Sequence, residues 1–343
     1  MRPTDFAYHL SKYFSAYMPG VLGLSSKTIS SYQDAFYIFL RYCKTEKNIV
    51  PEKLTLDMLS LNLLTDFLQY LEDEGNSIST RNHRLTVLRS FFRYLQLVEP
   101  KYIYLMQQLL SIKHKKSKKP TVSYLTVDGI KLLLKQPESN TKAGYRDLLL
   151  LSVLYETGSR VDELINIKVG DIRLENPATI LLHGKGNKSR IVPISQEMAS
   201  LIINYLKKEK LNSFSANSRL LFVNRSQHQL TGAGVTYILK KHAETARTIN
   251  PALIPNTLSP HCFRHSKAMH LLQSGIDLIY IRDFLGHESL KTTEIYAKVD
   301  GSAKRKALES AYSNISSTID DTSFQGNWND DTSLMSWLRN TCK

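Results

Sequence analysis

Apolar residues recur every three or four positions in KTISSYQDAFYIFLRYCK. Ile29, Tyr32, Phe36, Phe39 and Leu40 mark one face behind a Ser25-Ser26 start, which predicts an amphipathic helix. LNLLTDFLQYLEDEG predicts a second helix, stopped at Gly75. A third is expected to open at Ser79 and run through STRNHRLTVLRSFFRYLQLV, with Leu85, Leu88, Phe91, Phe92 and Leu95 as its buried stripe. The helical pattern resumes after Leu125. AGYRDLLLLSVLYETG reads as a strongly apolar helix that ends at Gly158 in a left-handed cap. Ser159, with Asp162 three residues on, predicts an immediate restart through a capping box. The pattern then switches: ATILLH, a tight GKGN turn and SRIVPI predict a β-hairpin. Helices return in QEMASLIINYLKK, GAGVTYILKKHAETA, SPHCFRHSKAMHLLQSG, IDLIYIRDFLG and HESLKTTEIYAKV. Ser259-Pro260, Gly275, Gly286 and Ser289 supply their boundaries. The expected fold class is mainly α with a small β-sheet.

The plainest break is KHKKSKKP, residues 113–120, where five lysines in seven residues repel one another and Pro120 closes the run. It separates a helical domain over 1–112 from an α+β domain over 121–315, and two domains suit 343 residues. A polar, acidic tail over 316–343 ends in the short amphipathic patch LMSWLRN, where Leu334, Trp337 and Leu338 could dock on a neighbouring subunit. About two dozen residues precede Ser25, so a separate domain is not expected within that stretch.

Composition narrows the function classes. The chain is 42% hydrophobic and 22% charged, as globular proteins are, which excludes wholesale disorder. It contains no apolar run of about 18 residues and no signal-peptide layout, so no membrane partner is expected and the cytoplasm is. Cys43, Cys262 and Cys342 cannot build a disulfide framework, in keeping with a reducing compartment. The formal charge of +14 is spread as +7 over residues 1–120, +9 over 121–315 and −2 over 316–343. A positive surplus in both halves points to a polyanion gripped along the whole body, and double-stranded DNA fits. Candidate phosphate contacts are Arg81, Arg84 and Arg89 on the third helix and Lys115, Lys116, Lys118 and Lys119 in the connector.

Six side chains carry candidate chemistry. Arg160 follows the Gly158-Ser159 break, and Glu163 shares its helix face and can orient its guanidinium. Lys185 lies in the glycine-flanked hairpin turn. His261 and Arg264 share one face of a helix that begins at Pro260. His287 follows Gly286, and Tyr296 comes nine residues later. His261, Cys262, His265 and His270 invite a zinc reading, but a second ligand pair at zinc spacing is missing, so no metal is expected. Two arginines, a lysine, two histidines and a tyrosine, with no acidic triad for Mg²⁺, make a cationic pocket suited to a phosphodiester. Tyrosine can supply the nucleophile and lysine a proton. Exchange of one phosphoester for another calls for no cofactor.

The motifs TGSRVDEL, HGKGNKSRIVPI, SPHCFRHSKAMHLLQSG and LGHESLKTTEIYAKV resemble those of the tyrosine recombinase (phage integrase-like, Xer-like) family, in order and in spacing. The resemblance covers about residues 121–300, and SSKTISSYQDAFYIFLRYC with STRNHRLTVLRSFFRYL looks like the family's helical, SAM-like core-binding domain. It implies a site-specific recombinase of a mobile element or of chromosome or plasmid resolution. In that reading Tyr296 forms a 3′-phosphotyrosyl link and leaves a free 5′-hydroxyl. Arg160 and Arg264 clamp the nonbridging oxygens beside His287, Lys185 protonates the leaving oxygen and His261 assists at the nucleophile. Glu163 supports the pocket, while Lys188 and Arg190 are charges of the hairpin face or of DNA grip. It further implies a homo-tetramer on paired sites, with a second recombinase or accessory protein as a further option, a Holliday-junction intermediate and a nucleoid location. The alternatives are a type IB topoisomerase, using the same pocket without paired sites, and a noncatalytic DNA-binding module.

Overall fold

The computed structural model describes residues 3–117, 123–184, 186 and 188–299. Contacts within the chain divide it into two compact units, Met1–Pro120 and Thr121–Lys343. Lys118, Lys119, Lys185 and the tail over 316–343 lie outside the described residues.

The first unit holds α1 (Asp5–Lys12), a wide helical turn over Tyr13–Val21, α2 (Ser26–Glu46), α3 (Leu61–Asp73), α4 (Ile78–Val98) and α5 (Ile103–Ser111). Ser25 caps α2 through Oγ, as its sequence predicts. The cap of α4 is Ser77, not Ser79: Ser77 is extended and its Oγ accepts from the Thr80 amide at 3.1 Å. Ser79 already lies in the first turn, where its backbone is helical. The core is aromatic, with Phe36 edge-on to Phe91 at 5.3 Å and Phe39 edge-on to Phe67 at 5.1 Å. The segment ahead of Ser25 packs onto this core. Phe6 meets Phe91 at 5.7 Å, and Tyr13 Oη donates to Ser90 Oγ at 2.8 Å. Pro19 lies inside the helical turn over Tyr13–Val21, where i→i+5 bonding takes over from the α-helical pattern.

The second unit contains α6 (Val127–Leu134), α7 (Lys142–Thr157), α8 (Val161–Ile165), β1 (Ile172–Arg173), β2 (Thr179–His183), β3 (Ser189–Pro193), α9 (Gln196–Lys208), α10 (Gly232–Ile249), α11 (Pro260–Gln273), α12 (Leu278–Leu285) and α13 (Leu290–Val299). The three strands form an antiparallel meander in the order β1-β2-β3. Ile180 and Leu182 of β2 point into the core, and Leu182 is directly opposite Arg190 of β3. From Leu149 to Leu154 the residues of α7 are all buried, so this helix is the unit's axis. A smaller cluster of Ala268, Met269, Ile281, Leu285 and Tyr296 ties α11, α12 and α13 together.

Candidate active site

Backbone breaks position the site. α7 ends at Gly158 in the left-handed region (φ +55°), which frees the Gly158 carbonyl to accept from Arg264 Nη1 at 2.8 Å. α12 ends the same way at Gly286 (φ +66°), beside the Leu285 carbonyl that accepts from Arg264 Nη2 at 2.6 Å. The Arg264 guanidinium thus lies between two helix C-termini, whose negative dipole ends favour a cation. A β-carbon at Gly158 would come within 2.8 Å of Leu285 Cδ2. Gly158→Ala is therefore expected to lower unfolding stability by about 1–3 kcal/mol, from the left-handed backbone and the clash together. Urea unfolding of the purified variant checks this, and an unchanged midpoint would refute it.

The restart after Gly158 is capped one residue later than the sequence pattern predicts. Arg160 is the N-cap, and Glu163 rather than Asp162 closes the box by accepting from the Arg160 amide at 2.8 Å. Ser159 makes no cap: its Oγ is buried without a partner among the described residues. Glu163 is the hub of the pocket. Its Oε1 accepts from Arg160 Nη1 at 2.8 Å and from Arg190 Nη1 at 2.9 Å, and its Oε2 accepts from Arg190 Nη2 at 2.8 Å. Arg190 is not a hairpin-face charge. It points inward from β3, holds Glu163 through two hydrogen bonds and donates through Nε to the Phe284 carbonyl at 3.0 Å.

Three guanidinium groups, of Arg160, Arg190 and Arg264, therefore gather around a single carboxylate. Burial, then the like charges of Arg160 and Arg190, lowers Arg264 to about 9. Arg160 keeps an open face, with its side chain 40% exposed. The arrangement is short of negative charge and calls for an anion.

Tyr296 of α13 borders this pocket and is 1% exposed. Its hydroxyl lies 2.9 Å from His265 Nδ1, and its ring stacks on that of His287 at 6.4 Å between centroids. Burial raises the phenol, while the Arg264 and Arg160 charges pull it back down. His287 is held by Thr293, whose Oγ1 is 2.9 Å from Nδ1. Burial and then the Arg264, Arg160 and Arg190 charges push it down to about 4, so it is neutral near pH 7.

Arg160, Glu163, Arg264, His287 and Tyr296 thus meet in one pocket, which Arg190 and His265 also enter. His261 is exposed on the first turn of α11, and the tyrosine hydroxyl meets His265 instead. Of the other histidines on this helix, His265 faces Tyr296 and His270 faces Tyr155 at 2.8 Å. Among the described residues no group of three or more His, Cys, Asp or Glu is placed to hold a metal ion.

The candidate DNA-contact residues divide. Arg81 is 6% exposed, with its guanidinium against Glu72 at 3.3 Å, so it is absorbed into the first unit and not offered to a ligand. Lys115 Nζ also meets Glu72, at 2.7 Å, and its backbone pairs with the Asn82 side chain. Arg84 and Arg89 are half-buried, while Lys116 is exposed. Lys188 pairs with Glu288 at 2.8 Å at the rim of the pocket.

Residues 123–302 match the phage integrase family, and residues 12–97 match the phage integrase, N-terminal SAM-like domain. The chain belongs to this family: it is a tyrosine recombinase, a site-specific DNA recombinase built from a helical SAM-like domain and a mainly helical catalytic domain with a small sheet. Among curated relatives it is 32% identical to tyrosine recombinase XerD of Listeria innocua over 279 residues, 81% of this chain and 89% of that protein. It is also 32% identical to XerD of Oceanobacillus iheyensis over 292 residues, 84% of this chain and 93% of the other. Among solved structures it is similar to XerH site-specific recombinase bound to palindromic difH substrate in a post-cleavage complex. That likeness has a TM-score of 0.66 and 26% identity, covering 87% of this chain and 83% of the other. These relatives lend nothing to the topoisomerase alternative. Among the described residues no helix is long and apolar enough to cross a membrane.

Proposed function

We propose that the pocket cuts and rejoins duplex DNA through a covalent link to Tyr296. The observation that carries this reading is three buried or half-buried guanidinium groups around one carboxylate, with a tyrosine hydroxyl at their edge. Such a pocket is completed by the charge of a phosphodiester.

In this reading Arg160 and Arg264 hold the nonbridging oxygens, and neutral His287 donates to them through its outer ring nitrogen. Tyr296 Oη attacks phosphorus, the bond to the 5′-oxygen breaks and a 3′-phosphotyrosyl linkage forms. Lys185 protonates the departing 5′-oxygen from the hairpin turn. Glu163 and Arg190 fix Arg160 in place. In the first unit Arg84, Arg89 and Lys116, continued by Lys118 and Lys119, track the phosphate backbone. Four copies act on two paired sites and exchange strands through a Holliday junction, in the cell interior where the nucleoid supplies substrate. The tail over 316–343 docks on the neighbouring copy through Leu334, Trp337 and Leu338.

The test uses a pool of nicked duplexes with randomised sequence, denatured in SDS after incubation with the full chain. Protein-linked strands are sequenced to give the preferred site, and the nucleotide-bearing peptide is mapped. The expected adduct is 3′-linked to Tyr296 and leaves a 5′-hydroxyl. A 5′-linkage, or attachment to another residue, would reject the reading.

A further inference from the structure

We infer that Arg190 is a positioning residue of the phosphate pocket, acting by pinning the C-terminal turn of α12, from which Arg160, Arg264 and His287 take their places. This rests on those three being the partners of the scissile phosphate. The last carbonyls of a helix have no amide partner within it, and they carry the negative end of its dipole. In α12 the carbonyls of Arg282 and Asp283 accept from the His287 and Gly286 amides at 3.0 and 3.1 Å. The next three carbonyls in the chain have one guanidinium each. Phe284 accepts from Arg190 Nε at 3.0 Å, Leu285 from Arg264 Nη2 at 2.6 Å and Gly286 from Arg160 Nη2 at 3.3 Å. In each pair the guanidinium can only donate and the carbonyl only accept.

The three arginines come from different elements, β3, α11 and the N-cap of α8, and meet on one turn of backbone. Successive α-carbons lie about 3.8 Å apart, so that turn sets the spacing of like charges that would otherwise separate. His287 is the next residue, and its amide closes the turn. Every nitrogen of Arg190 has a partner within the fold: Nε has the Phe284 carbonyl, while Nη1 and Nη2 have the two oxygens of Glu163. One planar group thereby braces β3, α8 and the end of α12 against each other. The fit is close, because a β-carbon at Gly286 would come within 3.1 Å of Arg190 Cδ and Nη1. Burial is the largest cause that lowers Arg264 and His287, and the Arg190 charge adds to it. That charge is answered by Glu163 and works against Arg264, so what Arg190 contributes to the pocket is geometry.

Two measurements on the full chain test this. In the absence of DNA, NMR amide exchange at Gly286 and His287 should speed up at least about tenfold in Arg190→Gln. Val153→Ala, a truncation in the core of α7 that lowers stability elsewhere, should leave those two amides unmoved, because they open locally. With the duplex recovered from the nicked pool, single-turnover cleavage by Arg190→Gln should fall on the order of 100-fold, while duplex retention stays within about threefold. Arg190→Lys keeps the positive charge but not the planar fork. This gentler change should show both effects, with a rate lowered by about tenfold or more. Unmoved Gly286 and His287 amides in the Arg190 variants, or equal movement in Val153→Ala, overturns the assignment. A lysine variant as fast as the unaltered protein also overturns it, by showing that charge suffices. The amide readout needs no DNA chemistry. An adduct on a residue other than Tyr296 would reject the reading of the pocket instead, so the two failures are distinct.

Discussion

Tyr296→Phe is expected to form no SDS-resistant adduct with a nicked duplex, its cleavage rate falling by at least about 10⁴-fold, while it retains the duplex within about threefold. The substitution removes one oxygen and keeps the ring. That ring is fully buried with Met269, Ile281 and Leu285, so packing of α13 on α11 and α12 survives. The lost bond to His265 costs about 1 kcal/mol of stability, which leaves the variant folded. Arg160, Arg190 and Arg264 keep their places, so a phosphate bound as proposed would keep its charge partners. Denaturing gels of labelled duplex resolve the adduct, and native gels report retention on the same samples. An adduct from the phenylalanine variant would show that another side chain attacks. Loss of duplex retention in step with the adduct would show that the hydroxyl serves binding and not chemistry.

Much of this site is legible before any coordinates. Apolar spacing marks α2, α3, α4 and α7, and the two glycines that end α7 and α12 are recognisable as left-handed caps. What escapes is which side chains turn inward. Arg190 follows from sheet register: it is directly opposite Leu182, whose alternation with Ile180 points it to the core, so Arg190 must share that face. Arg81 follows from helix period, since it precedes Leu85, Leu88 and Phe92 on the buried stripe of α4. Its burial against Glu72 is thus consistent with the pattern, whereas charge counting alone places it on the surface. His265 has no such signal. It neighbours Arg264 in sequence, but its contact with Tyr296 depends on where α13 returns, and that is a tertiary fact. The segment over Asp5–Val21 is similarly silent: Pro19 interrupts its helical pattern, and only packing on Phe91 and Ser90 explains its order.

Glu163→Gln is expected to cost roughly 3 kcal/mol of unfolding stability near pH 7, with a pH dependence that identifies the cause. Burial alone would raise this carboxyl. The Arg190 and Arg160 hydrogen bonds, with the Arg190 charge, outweigh it and hold Glu163 at about 2, below its ordinary 4.5. The folded state therefore prefers the ionised form more than the unfolded state does. That preference stabilises fully above the unfolded value and drains as pH falls through the folded one, so the gap between the two proteins should close between about pH 5 and pH 2. Urea unfolding across that range measures it. A gap that stays constant with pH would assign the loss to packing, and no gap at pH 7 would remove Glu163 from its place as hub. The same substitution leaves Arg160 and Arg190 without their shared anchor and should slow cleavage on the order of 100-fold, because a guanidinium that must find the phosphate anew stabilises charge poorly in the transition state. Glu163 touches no reacting atom, so this loss should appear in the cleavage rate of bound duplex, with duplex retention little changed. On the proposed reading, the carboxylate that makes the pocket's cluster of positive charge tolerable in the folded chain also aims that charge at the scissile phosphate.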